Sequence, residues 1–149
     1  VLAGVSGILI SRLQSVLNAA ARLIFAVRKS DWITPLLRDL HWLKVRERIK
    51  FRLCVLAYHS LHGTAPSYIA ESLHLASSIE GRRRLRSTAD MDLLIPATHC
   101  STRGDRSFPV AAARAWNILP SSIRPSPSLN VFRRRLKTEL FLQSYPTLT

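Results

Sequence analysis

Acidic side chains are scarce in this sequence of 149 residues. Nine aspartates and glutamates face 22 lysines and arginines, which gives a formal charge of +13 at pH 7. Self-repulsion on this scale destabilises a compact chain unless a polyanion neutralises it. We therefore expect a nucleic acid as the partner, and an anionic membrane surface is the weaker alternative.

Cysteine is also rare, and its two copies exclude several classes of site. Cys54 and Cys100 lie far apart and match no zinc or redox spacing, so we expect a reducing compartment, nuclear or cytoplasmic. No uninterrupted apolar run approaches the roughly 20 residues that cross a bilayer, because Arg12, Arg22 and Arg28 interrupt the N-terminal region. The sequence therefore predicts no membrane-spanning segment, and a membrane is not the expected partner.

The N-terminal residues lack a basic leader, which argues against a signal peptide. They also lack an initiator methionine. We expect the chain to be a piece of a longer protein.

Catalytic motifs are missing as well. There is no G-x-S-x-G elbow and no glycine-rich phosphate loop. Asp90 and Asp92 could hold magnesium if they shared a strand face, but a solvated strand edge is the favoured interpretation. His59 and His62 have a zinc-compatible spacing without further ligands, so helix capping and partial burial are favoured. We predict no enzyme activity, cofactor, metal or small-molecule substrate for this chain.

What the sequence does contain is helical periodicity, which predicts a helical lobe over residues 1–73. An apolar stripe along residues 9–27 indicates an amphipathic helix. Thr34 and Pro35 predict the start of a short second helix. Residues 45–62 alternate at first like a strand, but no turn residue interrupts them, so their length favours a helix of about 27 Å.

The periodicity is lost over residues 74–109, which we interpret as a basic excursion with one or two short strands, one of them at 92–96. Residues 110–149 are predicted to form a C-terminal helical segment that packs on the first lobe, with Trp116 as an anchor. Ser128 is the predicted cap of the last helix. The predicted fold class is mainly α, a small helical bundle with a loop or short β excursion.

Three basic clusters carry the predicted binding function. Arginine dominates them, and its planar fork engages two phosphate oxygens at once. A single cluster could be a solvated face or a nuclear-import address, but three of them favour phosphate contact. The candidate nucleic-acid-binding residues are Arg46, Arg48, Lys50, Arg52, Arg82, Arg83, Arg84, Arg86, Arg133, Arg134 and Lys137.

The three tryptophans are a separate candidate for contact with bases. Trp32, Trp42 and Trp116 each follow the pattern of a helix anchor. Packing in the core or at a lobe interface is therefore the favoured interpretation for all three.

Five stretches in order resemble the C-terminal region of reverse transcriptases from LINE-type, non-LTR retrotransposons. They are "RLQSVLNAAARLI" (12–24), "ITPLLRDLHWLKVRERIKFRL" (33–53), "LHGTAPSYI" (61–69), "GDRSFPVAAARAWNILPSSIR" (104–124) and "FRRRLKTELF" (132–141). The resemblance implies a helical thumb followed by a C-terminal segment, which together hold RNA template and RNA/DNA duplex. It also implies that the polymerase palm, and usually an endonuclease, lie upstream of this region, so their catalytic residues have no counterpart here.

The resemblance leaves two alternatives open. The chain could be a structural remnant that docks on the missing palm through Trp116, Phe132 and Leu136, or a decayed copy without a selected function. A peripheral membrane protein using the first amphipathic helix is a further class, which the small number of bulky aromatic residues on that helix disfavours.

Overall fold

The structure, a computed structural model, describes residues 2–78, 91–98 and 104–146 of the chain. Within these ranges, two single turns of 3₁₀ helix, Ala76–Ser78 and Gly104–Arg106, accompany the α-helices. The described part contains no β-strand, and the predicted mainly α-helical fold is confirmed. Its α-helices are α1 (Gly7–Phe25), α2 (Ile33–Asp39), α3 (Val45–Leu61), α4 (Ser67–Ala70), α5 (Phe108–Asn117) and α6 (Leu129–Ser144).

Helix α3 lies at the centre and packs against α5 and α6. The core between these helices contains Trp116, Phe132 and Leu136, all fully buried. The Phe132 ring stacks on Tyr58 at 4.5 Å and lies 5.6 Å from the Trp116 ring. Burial of large aromatic side chains supplies much of the driving force for packing these helices together.

The polar atoms of the core aromatic residues are satisfied. Tyr58 Oη donates to the Ser126 carbonyl at 3.0 Å, and Trp116 Nε1 donates to the Met91 carbonyl at 2.9 Å. A buried donor without a partner would cost about 1–3 kcal/mol. These two bonds therefore tie loops on either side of α5 to the aromatic core.

Helix α1 confirms the predicted amphipathic helix but buries little of its apolar stripe. Ala21 is its only buried residue, and Leu17 packs beside it. Gln14 Oε1 accepts a hydrogen bond from the Val45 N–H at 2.9 Å, which caps the first turn of α3 with a side chain from α1. The helix is thus held along Gln14, Leu17 and Ala21. Much of the apolar stripe stays accessible to solvent, and its Leu13, Val16, Leu17 and Ala20 line an open groove beside α3.

Helix α1 is long enough and apolar enough to cross a membrane, judged by length and composition only, even though it contains Arg12 and Arg22. The sequence predicted no such segment. The criterion is a weak indication of a span, because core helices and signal sequences also meet it.

The predicted strand at residues 92–96 is wrong. Leu93 forms one isolated antiparallel bridge with Leu75, and the described residues around it form no ladder. The backbone N–H and carbonyl of Leu93 are occupied by the side-chain amide of Asn117, each at 2.8 Å. Because a side chain takes these backbone groups, a neighbouring strand cannot pair with them.

Two helix starts were predicted from capping residues, with different outcomes. Ser128 Oγ accepts from the Val131 N–H at 3.4 Å, so the predicted cap of α6 is confirmed. Helix α2 begins one residue before Thr34, so Thr34 lies inside the first turn and Trp32 occupies the cap position.

Trp32 is 86% exposed, and its predicted packing role is wrong.

Candidate nucleic-acid interface

The four basic residues of α3 divide between two sides of the helix. Residues two positions apart on an α-helix point about 200° apart, whereas residues four apart share a face. Arg48 and Arg52 therefore lie on one side, and Arg46 and Lys50 on the other. All four side chains are exposed.

Helix α6 divides its basic residues in a similar way. Arg133 and Lys137 are one turn apart and both line a cleft next to α3. Arg134 is exposed and does not line that cleft. Arg135 lies within the same stretch but is not one of the candidate binding residues; it donates from Nη1 to the Ser122 carbonyl at 3.2 Å and so contacts the turn before α6.

The α3–α6 cleft brings two of the four candidate residues on α3 together with two of the three candidates on α6. Its volume is about 690 Å³. Helix α3 contributes Arg48 and Arg52, and α6 contributes Arg133 and Lys137. Among the described residues that line the cleft none is acidic, so the four positive charges act together on whatever enters.

The rest of the cleft lining is largely apolar. Phe51, Val55 and Leu56 of α3 contribute to it, and Trp42 reaches it from the segment between α2 and α3. Packing was the predicted role of Trp42, and Phe51 was not predicted to take part in binding. A helical projection of α3 could have found the second of these, because residues 48, 51, 52 and 55 share one face.

Arg48 is held in place at the edge of this cleft. Its Nε donates to the Leu43 carbonyl at 3.0 Å, and its guanidinium carbon lies 5.4 Å from the centre of the Trp42 ring. A cation over an indole ring is attracted by the ring quadrupole. The guanidinium therefore has a defined position before any ligand binds.

The segment that carries Trp42 is anchored to the end of α6. Tyr145 Oη donates to the Trp42 carbonyl at 2.8 Å, and the Lys44 ammonium lies 5.2 Å from the Tyr145 ring. Burial, and then the negative charge of Glu47, raise the pKa of Tyr145, while Arg48 opposes the shift. Tyr145 thus stays protonated and continues to donate at neutral pH.

The remaining predicted cluster belongs to the basic excursion over residues 74–109. Arg82, Arg83, Arg84 and Arg86 all lie outside the described residues. Their predicted role in phosphate contact stays a prediction from the sequence.

The histidine pair makes local contacts at the C-terminal end of α3. His59 Nδ1 lies 2.7 Å from Thr64 Oγ1, and His62 Nδ1 lies 2.9 Å from the Tyr58 carbonyl. In the described part of the chain, no three histidine, cysteine, aspartate or glutamate side chains form a group that could hold a metal. These contacts fit the predicted capping role.

Asp92 has a structural partner and does not lie at a solvated strand edge as expected. Its carboxylate forms an ion pair with Arg124, which is buried. Arg124 also donates to the carbonyls of Asn117 and Leu119, at 2.7 Å and 3.0 Å. Asp90 lies outside the described residues.

Cys54 is buried in the core, and burial raises the pKa of its thiol to about 12. The thiolate is the reactive form of cysteine. Cys54 therefore acts as a small apolar core residue at neutral pH.

Comparison of the chain with protein-family models, curated proteins and solved structures found no match. The resemblance to LINE-type reverse transcriptases therefore stays a prediction from the sequence.

Proposed function

We propose that this chain binds RNA and RNA/DNA duplex through backbone phosphates, without reading base sequence. In this proposal it is the non-catalytic C-terminal part of an RNA-directed DNA polymerase of the LINE type. The sequence resemblance supports the family assignment, and the charge of +13 supports a polyanionic partner.

The observation that carries the proposal is the convergence of four cations from two helices on one cleft. Arg48, Arg52, Arg133 and Lys137 line it together, and no carboxylate among the described lining residues competes for them. Arginine can bind two phosphate oxygens at once. Contacts to phosphate do not depend on which base is present, so binding is expected to be independent of the nucleic-acid sequence.

The test is the salt dependence of binding, measured with the full chain and a labelled RNA/DNA duplex. If about six phosphates are engaged, the slope of log K against log salt is near −5, at roughly −0.9 per phosphate. Replacing Arg48, Arg52, Arg133 and Lys137 with alanine should flatten the slope by about 3 to 4 units. Scrambled competitor sequences should displace the duplex equally well.

A matched control removes four exposed cations that do not line the cleft. The variant with Arg12, Arg28, Lys29 and Arg38 replaced by alanine has the same net charge as the cleft variant. It should retain most of the slope. Equal flattening in both variants would mean that binding depends on total charge and that the cleft is not the site.

A second candidate function is docking on another polypeptide, such as the polymerase palm of the parent protein. The residues predicted to dock, Trp116, Phe132 and Leu136, are fully buried, so that part of the alternative is wrong. The exposed apolar face of α1 favours a docking function in a different place, because large apolar patches commonly mark interaction sites.

A further inference from the structure

We infer that the α3–α6 cleft receives an unpaired nucleobase, so that at this site the chain prefers a single-stranded stretch of RNA to a duplex. The inference rests on the proposed function and adds a substrate preference to it. The cations provide the attraction to phosphate, and the apolar lining provides the contact with the base.

The composition of the cleft is the first argument. A site that bound phosphate alone would gain nothing from Phe51, Val55 and Leu56, which are partly exposed to solvent there. Every nucleobase has an apolar π-face, and stacking on aromatic side chains is a common way of binding single strands. A base over Phe51 or Trp42 would remove this apolar surface from water.

The accessibility of base faces is the second argument. Inside a duplex the faces of each base are covered by its neighbours in the stack, and only edges and backbone face outward. An unpaired base can turn its face into a cleft, which is how proteins recognise loops, bulges and ends of RNA. The volume of about 690 Å³ lies within the range of ligand sites and leaves room for a base with its sugar.

The fixed position of Arg48 is the third argument. Its guanidinium is held by the Leu43 carbonyl and the Trp42 ring, next to the apolar lining. A guanidinium plane is itself a surface on which a base can stack. Because this group is positioned in advance, little side-chain freedom is lost when a nucleotide binds.

The experiment compares three labelled ligands with equal numbers of phosphates, using the full chain. They are a single-stranded RNA, an abasic strand of the same length, and a duplex. The RNA single strand should bind at least about tenfold more tightly than the abasic strand, since each stacked base contributes measurably to affinity. The duplex should bind with an affinity close to that of the abasic strand.

Phe51→Leu is the diagnostic variant, because it keeps an apolar side chain and removes the aromatic face. In this variant the RNA strand should bind at most about threefold more tightly than the abasic strand. The matched control is Phe25→Leu at the end of α1, outside the cleft, which should leave the preference unchanged. Trp42→Leu is a second diagnostic variant, and a thermal melt of each variant checks its fold.

The outcomes separate the two proposals. Equal binding of the RNA strand and the abasic strand, with a steep salt slope, would overturn the base-binding inference and leave phosphate binding intact. No binding of any of the three ligands would overturn both. Displacement of RNA by an acidic peptide with aromatic residues, at lower concentration than by RNA itself, would assign the cleft to a protein partner.

Discussion

Individual basic residues in this chain serve different purposes. Arg124 is buried and binds groups of the fold, among them the Asp92 carboxylate and the carbonyls of Asn117 and Leu119. Arg48 shares its guanidinium between an internal carbonyl and the cleft. A count of positive charges therefore overstates the number available to a nucleic acid.

Cys54 leads to a prediction about stability in alkaline solution, made in a Cys100→Ser background. Burial raises the pKa of this thiol from its ordinary value of 9.0 to about 12 in the folded state. Between these values the unfolded state binds fewer protons than the folded state, so the free energy of unfolding falls as pH rises. The expected fall is on the order of a few kcal/mol between about pH 9 and pH 12, measured by urea denaturation.

The matched variant Cys54→Ala separates this effect from the titration of lysine and tyrosine. It lacks the thiol, so its free energy of unfolding should decline less steeply over the same pH range. Parallel pH profiles of the two proteins would show that the buried thiol does not control the decline.

At the scale of elements, α1 differs from the other long helices. Helices α3, α5 and α6 place most of their apolar residues in or against the core, whereas Ile8, Val16 and Leu23 of α1 are 71%, 70% and 81% exposed. These three side chains lie within one sector of the helix. The contact from Gln14 to the start of α3 is made from a different sector of α1.

The exposed sector of α1 predicts that the isolated chain self-associates. Sedimentation velocity should show a mass that rises with protein concentration, since contiguous apolar surface favours association. Replacing Ile8, Val16 and Leu23 with serine should give a monomer. The free energy of unfolding should change little, by about 0.5 kcal/mol per site, because the three side chains are exposed.

Addition of RNA separates the two proposed surfaces. Self-association through α1 should persist when RNA occupies the α3–α6 cleft. A wild-type chain that stays monomeric at all concentrations would leave the docking function of α1 without support.

At the scale of the whole molecule, the charge of +13 opposes compaction. Exposed cations occur on every described helix longer than one turn, whereas the ion pair between Arg124 and Asp92 neutralises a buried cation. Folding brings the exposed charges closer together than they are in the unfolded chain. Screening by salt should therefore stabilise the folded state.

The corresponding prediction is a melting temperature that rises with ionic strength. An increase from about 50 mM to about 300 mM sodium chloride shortens the Debye length and should raise Tm by about 5 °C. Salt should raise the Tm of the variant lacking Arg48, Arg52, Arg133 and Lys137 by a smaller amount, because this variant carries fewer positive charges. A Tm that is independent of salt would show that repulsion does not limit stability.

Much of the helical fold could be predicted from the sequence, because the signals are local. The apolar spacing over residues 45–62 predicted α3, and Ser128 predicted the start of α6. The strand at 92–96 and the packing of Trp32 were wrong because both depend on partners distant in sequence. Asn117 occupies the backbone of Leu93, and no described element covers Trp32.

The sequence by itself determined the excess of positive charge, the helical segments and the positions of the basic residues along them. Only the tertiary structure decided that Arg48 and Arg52 meet Arg133 and Lys137 at one cleft, while Arg46, Lys50 and Arg134 do not line it. The physical reason is that side-chain direction follows from the helical turn, but which two helix faces meet depends on how the aromatic core packs. That core, with Phe132 between Tyr58 and Trp116, positions α6 against α3.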